Sequence, residues 1–449
     1  MSVEAFLLIF MFAGIIAAII SGVRIIVTLM FVPLFFAMMG VLLGVFDSAL
    51  FYAIPERIFG IMRNQVLYAI PLFVLMGKLL EHSGLAEKML LSLASLSKNQ
   101  GRSLTFAVLG TSVITAAATG IIGTTITMLA GIALPALLRA GVSEKLSAGL
   151  ICAAGSLGQL IPPSIVLILL TDQISNAWII SQRELGNFSP EPISIAHLFS
   201  AALLPGLFLA SLYAVYIMFA SRDASVSSNQ SVNEVDQSFS LRAILVLGAI
   251  AFVPISIVFG FVTTSEAASL GIFCIMLLMI RNSSALVFRK AILETVELVG
   301  VIFGIIIAAA VLALVFRGLG GDEHIFEFLS VMPGDVTGAL LLVMVAIFLL
   351  GFIIEFIEII YIVIPVVAPI LFIMGVEPIW FAVLVAVNLQ ISFLTPPLGI
   401  ALFYFQSVSK IKAVNLYQAV LPFIALQIIA LGIIFVFPSL ATWLPSILI

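Results

Sequence analysis

Residues 156–166 read SLGQLIPPSIV, and residues 392–400 read SFLTPPLGI. Each places two adjacent prolines inside an apolar run. A proline has no amide hydrogen and costs a helix interior roughly 3 kcal/mol. In hydrocarbon the freed carbonyls find no water, so such a break is tolerated only inside protein or against a cavity. A break of this kind, used twice at the same spacing from its neighbours, points to function as well as packing.

The surrounding composition sets the solvent. Of 449 residues, 63% are hydrophobic and 9% charged, against about 25% charged in a soluble domain. Uncharged stretches long enough to cross a bilayer recur along the chain, with room for roughly a dozen spans of about 20 residues. The chain is therefore expected to be an all-α polytopic membrane protein, with its few charges in loops. The run Phe6–Ile20 follows Glu4 and lacks a basic leader, so it is expected to be a retained helix. Cys152 and Cys274 lie in separate apolar segments and read as small hydrophobes, and the three histidines, His82, His197 and His324, have no metal-site spacing.

The longest polar stretch, residues 221–242, divides a first half (1–220) from a second (243–449). Across it the chain repeats at an offset of 234: Gly84 with Gly318, Pro135 with Pro369, Gly141 with Gly375, Pro162-Pro163 with Pro396-Pro397. In the first half, Arg102 and Arg139 bound 36 uncharged residues, enough for a helix, a turn at Thr119–Thr125 and a helix back. In the second, Asp335 and Glu377 bound 19 uncharged residues, EFIE, and 18 more. The expected elements are a re-entrant hairpin over about 103–139 with a broken helix over about 145–171, and a hairpin over about 335–376 with a broken helix over about 378–406, then a final helix.

Loop charge suggests how the halves lie. The first hairpin is flanked by Lys78, Lys88, Lys98, Arg102, Arg139 and Lys145; the second has Arg317 among Asp322, Glu323, Glu327, Asp335 and Glu377. The positive-inside rule puts the two hairpin mouths on opposite faces. Two inverted repeats with broken helices meeting at the midplane is a secondary-transporter plan.

Candidate ion and substrate ligands cluster at these breaks and tips. The first tip offers Thr119, Gly120, Gly123, Thr124 and Thr125, and the second Gly351, Glu355 and Glu358. The breaks offer Gly158, Gln159, Pro162, Pro163 and Ser164, and Asn388, Gln390, Ser392, Thr395, Pro396 and Pro397. Freed carbonyls and hydroxyls suit Na⁺, and half-helix amino ends suit a carboxylate. The exact Na⁺ ligands are left open.

The prolines could be packing kinks, the polar residues near them could bond between helices for about 1 kcal/mol each, and either glutamate could face an aqueous vestibule. At a spacing of three, Glu355 and Glu358 are expected to share a helix face. Glu266, in TTSEAAS, reads equally as a helix-start carboxylate or a site residue. No HExxH, GxSxG or phosphate-binding glycine loop occurs, so no enzyme and no organic cofactor is expected. A channel, or a proton-pumping membrane subunit relaying through Glu355 and Glu358, is the second reading.

IPLFVLMGKLLEHSGLAEK (70–88), GQLIPPSI (158–165), TTSEAAS (263–269) and VNLQISFLTPPLGIALF (387–403), in this order, resemble the large membrane subunit of tripartite ATP-independent periplasmic (TRAP) transporters, the DctM-like family of the ion transporter superfamily. The resemblance covers about residues 5–440. It implies an elevator-type secondary transporter in the bacterial inner membrane, driven by Na⁺. It also implies a small DctQ-like membrane subunit, expected as a separate chain, and a periplasmic substrate-binding protein; no nucleic acid is involved. The chain departs from the family's GSxxAD with GIIGTT (120–125), from GMFLD with GFIIE (351–355), and at Thr264, which replaces a proline. Its pattern is similar to a subgroup named for mannitol or chloroaromatic compounds and including 2-oxo acid systems, which implies a small organic monocarboxylate.

Overall fold

The computed structural model describes residues 2–85, 90, 100–120, 122–221, 248, 252–279 and 285–449. All but the first residue of the polar stretch 221–242, with Lys88, Lys98 and Ile121, lies outside the described residues. Among the described residues every regular element is helical. Among the same residues, eight helices are long and apolar enough to cross a membrane, or nine if the pair Gly321–Ser330 and Asp335–Leu350, bent by 120°, is one span. Shorter apolar helices, such as Thr264–Met279 and Pro378–Leu394, stand beside them.

One group of helices is α1 (Val3–Ile20), α2 (Ile25–Leu42), α3 (Ala53–Arg63), α4 (Ala69–His82), α10 (Thr264–Met279) and α11 (Ala285–Gly318). α2, α3 and α4 pack against α11, and α10 packs against α4. Charges pin α4 to α11 in antiparallel sense: Lys78 Nζ lies 3.0 Å and His82 Nε2 3.0 Å from Glu294 Oε2.

The other group holds the repeated elements. The first repeat contributes α5 (Gln100–Thr119), α6 (Ile122–Arg139), α7 (Glu144–Ser156), α8 (Ile165–Glu184) and α9 (Ile195–Ala220). After the Gly321–Ser330 helix (α12), the second contributes α13 (Asp335–Leu350), α14 (Phe356–Ile373), α15 (Pro378–Leu394), α16 (Ile400–Val408) and α17 (Ala413–Val436). α8 runs on to Glu184, past the expected residue 171, because its apolar ladder continues to Trp178.

Equivalent positions fold alike. Gly141 and Gly375 both have positive φ (79° and 99°) after the outgoing hairpin arm. In both, the next amide reaches back to the last turn: Val142 N–H to Leu137 O at 3.0 Å, Val376 N–H to Leu371 O at 2.9 Å. This is the six-to-one bond of a Schellman stop, which glycine makes without steric penalty. Both double prolines interrupt their helices, and both Pro-Pro bonds are cis.

Contacts between the repeats are reciprocal. The outgoing arm α6 packs on α16, and its counterpart α14 packs on α8. α17 packs on α7, and α9 on α15. Ser156 and Gln390, exactly one repeat apart, touch: Gln390 Nε2 donates to Ser156 Oγ at 3.1 Å. The first turn of α7 bonds the start of α17, through Glu144 to Asn415 at 3.3 Å and Lys145 to Gln418 at 2.8 Å. The first turn of α15 bonds its far end, through Trp380 Nε1 to Ile434 O at 2.8 Å. Sixteen or more helical residues, about 24 Å of rise, separate these anchors. The two broken helices thus start from opposite ends of α17.

Candidate functional site

The tips and breaks meet because small residues let backbones approach. Gly120 turns the first hairpin with φ +61°, and a Cβ there would lie 2.9 Å from Ile165 N, the first residue after the first break. Gly123 lies under the ring of Tyr404 on α16, where a Cβ would fall 2.7 Å from ring carbons. Gly158 lies on Ala116 at the end of α5, and its repeat equivalent Ser392 lies on Gly351 at the end of α13. In both repeats, then, the broken helix rests on the last turn before the hairpin tip.

Between them lies a cavity of about 90 Å³. Gly123, Ile165, Glu355, Phe393 and Tyr404 line it, with Leu298 and Ile302 of α11 forming a wall from the other helix group. Residues of both tips and from both broken helices therefore face one apolar space, where Glu355 is the one carboxylate among the described residues. Thr124 is half-buried and Thr125 buried; the Thr119 side chain lies outside the described residues.

The remaining sequence candidates are placed differently. Asn388 Nδ2 donates to Met344 O at 2.7 Å, tying α15 to α13. Ser392 and Thr395 hydroxyls bond back to Leu389 O and Ile391 O, and Ser164 Oγ donates to Gln159 O at 2.9 Å. Pro162, Pro163 and Ser164 are buried, whereas Pro396 is half-buried and Pro397 exposed, so one break is sealed and the other open. Tyr417 OH donates to Pro397 O at 3.2 Å. Both amide atoms of Gln159, Glu358 Oε2 and Gln390 Oε1 are buried without a hydrogen-bond partner among the described residues.

Glu355 and Glu358 do not share a helix face. Glu355 has extended backbone (ψ 169°) ahead of the helix and faces the cavity, while Glu358 is buried in the first turn. The turn that follows, Ile359–Val363, is π-helical, a form that often marks functional sites. It carries Tyr361, whose hydroxyl donates to Asp172 Oδ2 at 2.9 Å.

Asp172 corrects the expectation that charges sit in loops. It is 6% exposed on α8 and accepts from Asn64 Nδ2 at 2.5 Å and Gln173 Nε2 at 2.7 Å as well as Tyr361. A lone acid in an apolar span is a functional signal in its own right, and the tetrapeptide LTDQ (170–173) displays it. Asn64 belongs to the α3–α4 connection, so this bond joins the two helix groups. Tyr404 carried no comparable signal; only packing reveals it.

Glu266 Oε2 accepts from Thr263 N at 2.7 Å and Thr263 Oγ1 at 2.8 Å, which makes it a helix-start cap. Glu81, His82 and Glu294 come together despite their sequence spacing. Lys78 lies 2.9 Å from Glu81 and 3.0 Å from Glu294, and with Lys290, 3.8 Å from Glu294, it supplies two positive charges for the two carboxylates.

The model of the DctM component of the tripartite ATP-independent periplasmic transporters matches residues 6–440. The chain is 25% identical over 387 residues to the C4-dicarboxylate TRAP transporter large permease protein DctM of Rhodobacter capsulatus, covering 84% of this chain and 86% of that one. It is 25% identical to the sialic acid TRAP transporter large permease protein SiaM of Vibrio cholerae, covering 84% and 85%. An isethionate TRAP transporter permease protein, DctMQ of Oleidesulfovibrio alaskensis, is 24% identical over 84% of this chain and 56% of its own length. In fold it is similar to the YdaH transporter of Alcanivorax borkumensis (TM-score 0.64, 15% identity, 87% of this chain and 90% of that one). On the family match across nearly its whole length, the chain belongs to the DctM family: it is a TRAP transporter large permease subunit of the bacterial inner membrane, and not an enzyme.

Proposed function

We propose that this subunit carries a small organic acid inward, coupled to a Na⁺ gradient, as two inverted repeats that move together in an elevator-like step. The observation that carries the reading is the convergence of both hairpin tips and both broken helices on one cavity beside α11. The opposite anchoring of α7 and α15 along α17 supports the inversion. Three buried side-chain oxygens without partners among the described residues, on Gln159, Glu358 and Gln390, support an oxygen-ligated cation near the breaks. The candidate ion and substrate residues remain those at the tips and breaks, with Glu355 facing the cavity and the buried amino end of α8 suited to a carboxylate.

The relatives are named for C4-dicarboxylate, sialic acid and isethionate, all anions. The apolar lining favours a smaller acid with an apolar body, in keeping with a monocarboxylate. A small membrane subunit and a periplasmic binding protein complete the system. Uptake into proteoliposomes holding both membrane subunits is expected only with binding protein outside and an inward Na⁺ gradient. Equal uptake without the gradient, or by this chain alone, refutes the reading.

A further inference from the structure

A larger cavity, of about 550 Å³, lies between α3, α8, α11 and α14. Its lining includes Arg57 of α3, Arg183 of α8 and Arg317 of α11, against Asp172 as the one carboxylate among the described residues. Arg317 leans on Asp322, 3.4 Å away, and donates to Pro365 O at 3.4 Å. The guanidiniums of Arg57 and Arg183 have neither a hydrogen bond nor an ion pair among the described residues. Half-burial and the Arg317 charge both push the Arg57 guanidinium below its ordinary value. An uncompensated pair of guanidiniums at the edge of a membrane protein is stabilised by an anion, and a guanidinium fork fits a carboxylate or phosphate in two-point fashion.

The position of this cavity adds direction. Three elements line both spaces: α8 through Ile165 and Asp172, α11 through Ile302 and Ile306, and α14 through Ile357 and Tyr361. From Ile165 to Asp172 is seven helical residues, about 10 Å. The arginine cavity is therefore stacked above the tip cavity, toward the Arg317 end of α11. Its arginines come from both helix groups, Arg57 and Arg317 from one and Arg183 from the other.

We propose that this cavity is a second anion site, where Arg57, Arg183 and Arg317 hold a carboxylate before it reaches the space between the hairpin tips. The polar floor of Asp172, Asn64 and Tyr361 lies at the deep end of that site, where a hydroxyl or second polar group of the ligand meets it. An anion bridging Arg57 and Arg183 neutralises cations on both helix groups at once. The site is distinct from the tip cavity and does not require Na⁺.

The test uses the purified full chain in a neutral detergent, with choline salts and no Na⁺, so that it is independent of ion-coupled transport. Acetate, succinate and inorganic phosphate are compared with chloride at equal ionic strength, by thermal midpoint and by equilibrium binding of radiolabelled succinate. Carboxylates are expected to raise the midpoint above chloride. Arg57→Gln and Arg183→Gln are each expected to weaken succinate binding about tenfold, the loss of one charge-assisted contact. Arg63→Gln, on the same short helix but outside the cavity, is expected to bind as the parent does. Binding unchanged in both cavity variants overturns the proposal. So does stabilisation by anionic lipid in nanodiscs that succinate cannot displace, which assigns the arginines to headgroups. If the two variants fail to fold, Arg57→Lys and Arg183→Lys keep charge but lose the fork. Full-strength succinate binding in those lysine variants overturns two-point recognition.

Discussion

Gly158→Ala probes the contact on which the first half of the site is built. The added Cβ would lie 2.4 Å from Ala116 O and 2.7 Å from Ala116 C, both backbone atoms of α5. A carbon–oxygen contact needs about 3.3 Å, so the hairpin must retreat by roughly 0.9 Å from the broken helix. No side chain can rotate to absorb this. Overpacking of that kind costs about 1–3 kcal/mol, and here it also moves the turn at Gly120 away from Ile165. The expected result is a thermal midpoint several degrees lower and a larger fractional loss of uptake. Gly131→Ala, on α6, meets nothing within 4 Å and serves as the reference; alanine there favours helix by about 1 kcal/mol. A Gly158→Ala protein as stable and active as Gly131→Ala refutes the tight seating of hairpin on broken helix.

Ser156→Ala leaves the buried Gln390 amide without its partner and is expected to cost about 1–3 kcal/mol in thermal or denaturant unfolding. Glu355→Gln keeps size and hydrogen bonding but removes the one charge of the tip cavity, so about tenfold weaker Na⁺ dependence of uptake, or a shifted pH dependence, is expected. Cysteines at Lys145 and Glu327, both exposed, are expected to label from opposite membrane faces with an impermeant thiol reagent, in a Cys274→Ala background where the remaining Cys152 is buried. Labelling of both from one face contradicts the inversion.

Much of the membrane architecture was legible because helix punctuation is written locally. Gly141 and Gly375, or Pro162-Pro163 and Pro396-Pro397, announce where a helix must stop, and a fixed offset between them reveals duplication. What a stop signal does not contain is which side chains meet across elements. Asn388 and Gln390 stand out as polar residues in an apolar run, but their partners Met344 and Ser156 lie on other helices, which the run does not reveal. Tyr404 closes on Gly123 from 281 positions away, and Arg57 shares a cavity with Arg317 from 260 away. Asp172 is the exception, since its cost in an apolar span could be read directly from LTDQ. The spacing of Glu355 and Glu358 misled for a different reason: helical periodicity applies only inside a helix, and Glu355 precedes one.

The central claim is that the proline breaks hold helices open so that an ion can bind there. Its most direct test is the thermal midpoint of the full chain in Na⁺ against K⁺ at equal ionic strength, for the parent, Pro162→Ala/Pro163→Ala and Pro396→Ala/Pro397→Ala. Alanine favours helix over proline by roughly 3 kcal/mol per position, so both variants are expected to stay folded. The account predicts that Na⁺ raises the midpoint of the parent and that this response is lost in at least one proline-pair variant. An undiminished Na⁺ response in both variants contradicts it and returns the prolines to packing kinks.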